Sequence, residues 1–382
     1  MTGGAAPTIA LIGANGHGRS HRLRIGQLAA EGRVRPVGLA DVRPLEADPP
    51  VPDGVGVFTD HRELLATTKP DVVIICTPPH THLPIALDAL AAGADLLLEK
   101  PPVASLAEHR TLVSAVADAG RACQVGFQAL GSTAWAQFRD ALPGLGPLTG
   151  ITAAASWKRD DPYYARAPWA GRRIVEGRPV IDGSLVNPLA HAVMQALASA
   201  ATVGAGRPRT LVVERYRTRP IEVDDTAFAR VIFDGGLQLV VAVTLAGEDF
   251  IAGEIEATGT GSRALLEYTT DRLALPGSTE LADVPGRTDL LANLLDHRAD
   301  GTPLLVPLTA TADFTTVLEA LTATDMPAPH LLEGDPVVID GTHRSIAGVN
   351  EVIRQVTAKM ALPSELGVPW AVPPVTRDLA AG

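Results

Sequence analysis

The sequence predicts an α/β protein in two parts, a doubly wound parallel sheet followed by an α+β domain with an open, mostly antiparallel sheet. Three observations predict it. From Thr8 to Gln128 short apolar runs alternate with helical patterns; beyond Gln128 such runs follow more closely, with turn signals such as "DGG" (Asp234 to Gly236) between them. In addition, 382 residues exceed one ordinary core when domains run to about 100–200 residues. The expected boundary separates residues 1–128 from residues 129–382.

In the first part, "TIALIG", "VRPVGLAD", "GVGVF", "DVVIICTP", "ADLLLEK" and "ACQVGFQ" read as strands. Continuous apolar runs suit strands covered on both faces, and segments such as "HLPIALDALAAG" (His82 to Gly93) supply covering helices, hence βαβ units. In the second part the expected strands are "LTGITAAASWKR", "RTLVVERYRT", "TAFARVIF", "LQLVVAVTL" and "RALLEY". A loop rich in Tyr, Trp and Arg, "DDPYYARAPWAGRR" (Asp160 to Arg173), and a helix from about Pro188 to Ala200 separate the first two. Near the end Ile346, Val349, Ile353, Val356 and Met360 form one stripe of a helix, expected to pack on its own domain.

Composition narrows the partners. An apolar fraction of 46% with 20% charged residues describes a globular chain. A formal charge of −11 argues against nucleic acid or an anionic membrane as the partner and leaves small molecules. Cys76 and Cys123 lie in apolar segments without metal-like spacing and read as core residues of a reducing compartment. The amino terminus lacks a basic leader, and no apolar run approaches the ~18 residues of a membrane span, so the expected location is the cytoplasm.

"IALIGANGHGRSH" (Ile9 to His21) follows the first strand and opens a helix, the context a dinucleotide fingerprint requires. Gly13 permits the tight turn and Gly18 close helix–sheet packing, so that a pyrophosphate rests on the helix N-terminus beside Gly16 and His17. Asn15 takes the middle glycine position, where asparagine's tolerance of left-handed angles and the neighbouring Gly16 relieve crowding. Asp41 ends the second strand near the ~20-residue spacing of a ribose-binding acid, which favours NAD; Arg43 keeps NADP possible. Thr77 and Pro78 end the fourth strand and are expected on the nicotinamide side. Glu99 and Lys100 end the fifth, at the edge where open α/β sheets bind ligands, and Pro101 and Pro102 stiffen the turn beyond.

The order "GANGHGRSH", "ADVRP", "CTPPHTH", "LLLEKPPVAS" and "QVGFQ" resembles the Gfo/Idh/MocA oxidoreductases. The resemblance spans the first domain, and the E-K-P after the fifth strand is that family's signature. It implies a Rossmann domain binding a nicotinamide cofactor and a second α+β domain that binds sugars, cyclitols or their derivatives and often mediates dimers or tetramers. In the second domain the family pattern G-G-x-x-x-D-x-G-x-H is similar to "DGSLVNPLAH" (Asp182 to His191). His191 then matches the catalytic histidine, with Asn187 where an aspartate is usual and Asp182 as a source of the missing charge; read as helix, Asn187 and His191 share one face. The likeness also places His21 and His82 beside the cofactor, and Gln128 is expected at the substrate. Neither His80 with His82 nor His17 with His21 has a carboxylate close by in sequence, so no metal is expected.

These readings lead to a NAD-dependent oxidoreductase of sugar-like CH–OH groups. His191, with an unperturbed pKa of about 6.5, acts as base, Lys100 assists, and Asn187 positions. Tyr163, Tyr164, Arg166, Trp169, Arg172 and Arg173 offer aromatic faces and guanidinium forks to the substrate, or pack structurally. Two alternatives remain open at this stage. One is a redox-neutral enzyme cleaving or epimerising a sugar through a transient ketone; the other is a non-catalytic NAD-dependent binding protein.

Overall fold

The computed structural model describes residues 5–380, with the backbone alone at 178 and 179. The chain divides into two compact units. The first ends at Phe127 and also holds Thr288–Thr315; the second comprises Gln128–Arg287 and the chain from Thr316 onward.

Among the described residues of the first unit, β1 (Thr8–Ile12), β2 (Arg35–Ala40), β3 (Gly56–Phe58), β4 (Val72–Ile75), β5 (Asp95–Leu98) and β6 (Cys123–Val125) make one parallel sheet in the order β3-β2-β1-β4-β5-β6. This is the Rossmann order, with its reversal between β1 and β4, and each expected strand is present. Helices α1 (Gly18–Ala30), α2 (His61–Thr68), α3 (His82–Ala91) and α4 (Leu106–Ala119) supply the crossovers. The four residues of β4 are wholly buried, as strands covered on both faces require. Burial pushes the Cys123 thiol up to about 12, in keeping with a core role.

The segment Thr288–Thr315, expected in the second domain, packs with the first unit. Its helix, α7 (Leu290–Asp300), carries Arg298, which bridges Asp71 at 2.7 Å and Asp95 at 2.5 Å. Further on, Gln124 Oε1 accepts from the Val306 amide at 2.8 Å. Burial of Leu290, Leu291, Leu294 and Leu295 holds this return, and the polar anchors at strand ends far apart in sequence fix its register.

The second unit is built on a mostly antiparallel sheet. Among the described residues its strands are β7 (Leu148–Lys158), β8 (Pro208–Arg217), β9 (Thr226–Phe233), β10 (Gln238–Thr244), β11 (Ala246–Gly259), β12 (Arg263–Glu267), β13 (Arg272–Ala274), β14 (Ala282–Asp283), β15 (His330–Leu331) and β16 (Val375–Asp378). Their order is β14-β13-β12-β11-β7-β10-β9-β8-β15, with β16 beside β8. Only β7 with β10 and β8 with β15 run parallel. β11, 14 residues long, was not expected: its register breaks after Ala246 and again after Ile251, so its side chains alternate only in the second half, from Glu254 to Thr258.

Two helices cover β7, β10 and β11: α6 (Ala190–Thr202) and α8 (Val349–Lys359). Val349, Ile353 and Val356 of α8 are fully buried against Ala154, Tyr216, Phe228, Val240 and Ala242, so this part of the expected stripe packs on its own unit, whereas Ile346, also buried, ends the strand His343–Ile346 before the helix and Met360 follows its last residue. No helix among the described residues is long and apolar enough to cross a membrane. Ile353→Ala should cost about 2–5 kcal/mol in denaturant unfolding, the range for truncating a buried aliphatic side chain; a loss below about 1 kcal/mol would show that this helix does not anchor on the sheet.

Candidate functional site

In the first unit, the candidate cofactor site forms where β1 turns into α1. Gly13 has φ +87°, and a Cβ there would lie 2.4 Å from the Cys76 carbonyl oxygen. A Cβ on Gly18 would lie 1.9 Å from the Gly13 oxygen. Both glycines are therefore obligatory; the first turn of α1 carries no acidic residue of its own, and the Gly16 amide before it lies 3.5 Å from Glu46 Oε1. The left-handed angle falls on Gly16, φ +56°, and not on Asn15. Asn15 serves a different purpose: it is buried, its side-chain nitrogen donates to Pro44 O at 3.1 Å, and its oxygen accepts from the Glu46 amide at 2.9 Å. An asparagine here staples the loop after β2 to the cofactor turn, which glycine could not do.

Asp41 sits beside that staple. Its two oxygens accept from the backbone amides of Asn15 and Arg43, each at 3.0 Å. Arg43 is exposed, with Nε 3.8 Å from the Asp41 carboxylate. Thr77 Oγ1 accepts from Thr81 Oγ1 at 2.7 Å, Pro78 beside it is exposed, and the Thr77 carbonyl faces His82 Nε2 at 2.8 Å. His82 is 0% exposed, and its other ring nitrogen lies 3.0 Å and 3.1 Å from Pro101 O and Pro102 O. This corrects the expectation for His82: a ring with no surface cannot touch a ligand, and it instead clamps the turn after β5 to the turn after β4. Burial holds its pKa below the ordinary histidine value.

Glu99 and Lys100 follow β5 directly. Glu99 Oε1 lies 2.9 Å from His21 Nε2 and 3.5 Å from His17 Nε2, while Oε2 accepts from the Lys100 amide at 3.2 Å. Burial pushes this carboxyl up, but hydrogen bonds and charge from the two imidazoles outweigh it and hold it well below the usual carboxylate range. The ligand atoms of His17, His21 and Glu99 lie within 4.8 Å of one another, so the fold supplies the carboxylate whose absence nearby in sequence had excluded a metal reading. That ground for exclusion falls; the three groups are joined here as a hydrogen-bonded ion cluster.

In the second unit, Asn187 and His191 do not share a helix. α6 begins at Ala190, because Pro188 has no amide hydrogen and turns the residue before it away from helical angles. Asn187 lies in the preceding turn, its amide donating to Gly183 O at 3.1 Å, and His191 opens the helix, half-buried. Asp182 is the hub: Oδ1 accepts from Asn187 Nδ2 at 3.0 Å and Oδ2 from the Gly171 amide at 2.7 Å. A carboxylate thus stands next to the asparagine that lacks one.

The loop from Asp160 divides into stacked and spent side chains. Its short helix α5 (Asp161–Ala165) is capped by Asp160, which accepts from the Tyr163 amide. Arg166 stacks on Tyr163 at 3.6 Å and Trp169 at 4.7 Å. Burial pushes the Tyr164 hydroxyl up, which keeps it protonated. Arg172 pairs with Glu222 at 2.9 Å. Arg173 donates to Met326 O at 3.1 Å and Ala323 O at 2.8 Å, which corrects its expected role: its fork is used on backbone carbonyls. Gln128 is exposed at the start of this unit. Arg219, which nothing in "RTRPIEV" singles out, is buried with its guanidinium 4.8 Å from the Tyr164 ring and Nε 3.2 Å from Asp161.

The hydrogen bond to Glu99 raises the His17 pKa above its ordinary 6.5. The imidazolium's contribution to stability is therefore complete below 6.5 and fades as pH rises through the raised value. His17→Ala should flatten the fall of Tm as pH rises above 6.5; parallel wild-type and variant curves would mean that the pair contributes nothing.

Residues 8–127 match the model of a family described as an oxidoreductase family with an NAD-binding Rossmann fold, Gfo/Idh/MocA. Inositol 2-dehydrogenase of Paracoccus denitrificans (strain Pd 1222) is 33% identical over 123 residues, 31% of this chain and 36% of that protein. D-glucoside 3-dehydrogenase of Escherichia coli (strain K12) is 27% identical over 128 residues, 33% and 36% of the two chains. The matched region thus spans about a third of these curated relatives, 36% of each. Among solved structures, the WlbA dehydrogenase from Bordetella pertussis, in complex with NADH and UDP-GlcNAcA, has a TM-score of 0.69 at 20% identity over 86% of this chain and 100% of that one. An aldose-aldose oxidoreductase from Caulobacter crescentus follows with a TM-score of 0.63 at 17% identity over 85% and 100%. At these identities the structures show a shared fold. The glycine turn, the strand order and the Glu99–Lys100 strand end agree with the match of residues 8–127 to the Gfo/Idh/MocA oxidoreductase family.

Proposed function

We propose that the protein is a NAD-dependent oxidoreductase acting on CH–OH groups of a sugar, cyclitol or sugar derivative. The observation that carries this reading is the Glu99 bridge, which ties the cofactor turn through His17 and His21 to the strand end that bears Lys100. Gly13, Gly16 and Gly18 would hold the pyrophosphate, Asp41 the adenine-side ribose, and Thr77 and Pro78 the nicotinamide side. Bound there, the cofactor supplies the hydride acceptor. The chain's own residues do the rest. His191 takes the proton from the reacting hydroxyl, Lys100 steadies the oxygen as it gains negative charge, and Asn187, held by Asp182, positions the substrate. Asp182 supplies next to Asn187 the negative charge that an imidazolium at His191 would need.

Spectrophotometry with NAD and a panel of monosaccharides, cyclitols and glycosides tests the reading. Lys100→Met should leave folding and NAD binding near normal while cutting turnover about 10²-fold or more, and His191→Ala should behave alike. Near-normal turnover in Lys100→Met would remove the lysine from the chemistry.

The cofactor preference is a separate test. An ionised Asp41 accepts hydrogen bonds from ribose hydroxyls and repels a 2′-phosphate. NAD(H) should bind about tenfold or more tighter than NADP(H) in a fluorescence titration, and Asp41→Ala should narrow the ratio. Equal affinities in the wild-type protein would assign the pocket to Arg43.

A further inference from the structure

We propose that His17, His21 and Glu99 form a site for one divalent metal ion of the zinc class, a property that stands apart from the dehydrogenase reading. The ligand atoms of these three residues lie within 4.8 Å of one another, and no further His, Cys, Asp or Glu joins the group among the described residues. Two imidazoles and one carboxylate are the donor set of open zinc centres, in which the fourth position is left to water.

The helix places both histidines. His17 is the N-cap of α1 and has helical angles, φ −64° and ψ −26°, so His17 and His21, four apart, lie on one face. Their ring planes stand 80° apart with centroids separated by 5.5 Å, so neither ring stacks on the other. Each turns its Nε2 toward Glu99 Oε1, at 2.9 Å for His21 and 3.5 Å for His17. Bonds of about 2.0–2.2 Å to a tetrahedral ion set neighbouring donors roughly 3.3 Å apart. The two observed separations straddle that value, so an ion can replace the hydrogens between these groups through small side-chain shifts.

The carboxylate is held from behind. A Cβ on Gly126 would lie 2.9 Å from Glu99 Oε2 and 3.0 Å from Oε1, so the acid packs on bare backbone and has no room to withdraw. The Lys100 amide donates to Oε2 at 3.2 Å, which leaves Oε1 facing the imidazoles. Ser20 gives His17 the outer partner that a ligating imidazole requires. Its hydroxyl donates to His17 O at 2.6 Å, and its oxygen stands 3.4 Å from Nδ1, placed to accept from that nitrogen and leave the lone pair on Nε2.

Exposure and chemistry set access and selectivity. The side chains of His21 and Glu99 are 11% and 9% exposed, whereas that of His17 is 62% exposed. Two donors are thus fixed in the interior, and the third closes on the ion from the side by which it enters. Imidazole nitrogens suit zinc and its d-block neighbours, while magnesium and calcium take oxygen shells. Two positive features oppose any cation here: the amide end of α1, and Lys100, which acts on the His17 charge. They make the anionic donor, Glu99, a requirement of the site.

Calorimetric titration of the full chain, stripped with a chelator and free of cofactor, tests this with zinc alone. One ion per chain should bind with a Kd of about 10 μM or tighter, and magnesium about 10²-fold or more weakly. His17→Ala and His21→Ala should each weaken zinc binding about 10²-fold, while His343→Ala, at an exposed histidine of the second unit, should leave it unchanged. His17→Ala, at an exposed side chain, keeps the test open if His21→Ala fails to fold. Cobalt in place of zinc supplies a second readout: its visible absorption should report a four-coordinate shell in the wild-type protein and lose that signature in His17→Ala. Zinc binding that is absent, not one to one, or undiminished by His17→Ala would overturn the site, and so would zinc binding that is lost in His343→Ala.

Discussion

A buried carboxylate held by two imidazoles organises the first unit. Glu99 lies where a charge without partners would cost several kcal/mol, and His17 and His21 reach it from the start of α1. Because the acid ends β5 and the histidines begin α1, the bridge sets the glycine turn against the strand end, and the Lys100 amide on the other oxygen inherits that position. His82 works from below in the same way, joining the turns after β4 and β5 through carbonyl oxygens. The sheet supplies rigidity; hydrogen bonds among the loops at its carboxyl edge give the site its shape.

The second unit repeats the device with aspartates. Asp224 accepts from the Ser184 amide at 2.9 Å and hydroxyl at 2.6 Å, and Asp225 from the Thr218 amide at 2.8 Å and hydroxyl at 2.7 Å. Asp182 does the same for Gly171 and Asn187. Here the side-chain identity matters. Were position 187 an aspartate, two carboxyl groups would stand about 3 Å apart and could not both ionise, so one would hold a proton. With asparagine at 187 the side-chain amide instead donates to Asp182, which ties the turn before α6 in place.

The strands of the first unit were legible because parallel strands covered on both faces leave unbroken apolar runs, and Gly13 and Gly18 were legible because a tight turn admits nothing larger. β11 was not, since irregular register breaks the alternation of its first half and leaves a regular pattern only from Glu254 to Thr258. The return of Thr288–Thr315 to the first unit was not, since its leucines could cover either unit by pattern alone and Arg298 meets Asp71 and Asp95 only in the folded chain. The helical pairing of Asn187 with His191 failed at Pro188, a boundary the chain itself signals and which the four-residue spacing had masked.

By itself the sequence determined the βαβ order, the cofactor turn and the lysine at the strand end, because each is imposed by residues close together in the chain: an apolar period, a glycine that must lack a Cβ, a pair of prolines. Tertiary structure alone decided which partners those residues have. Glu99 stands 78 residues from His21, and no local rule can pair groups so far apart. Folding brings them together because buried charges and amides must be satisfied, and the loops that satisfy them are those that shape the candidate site.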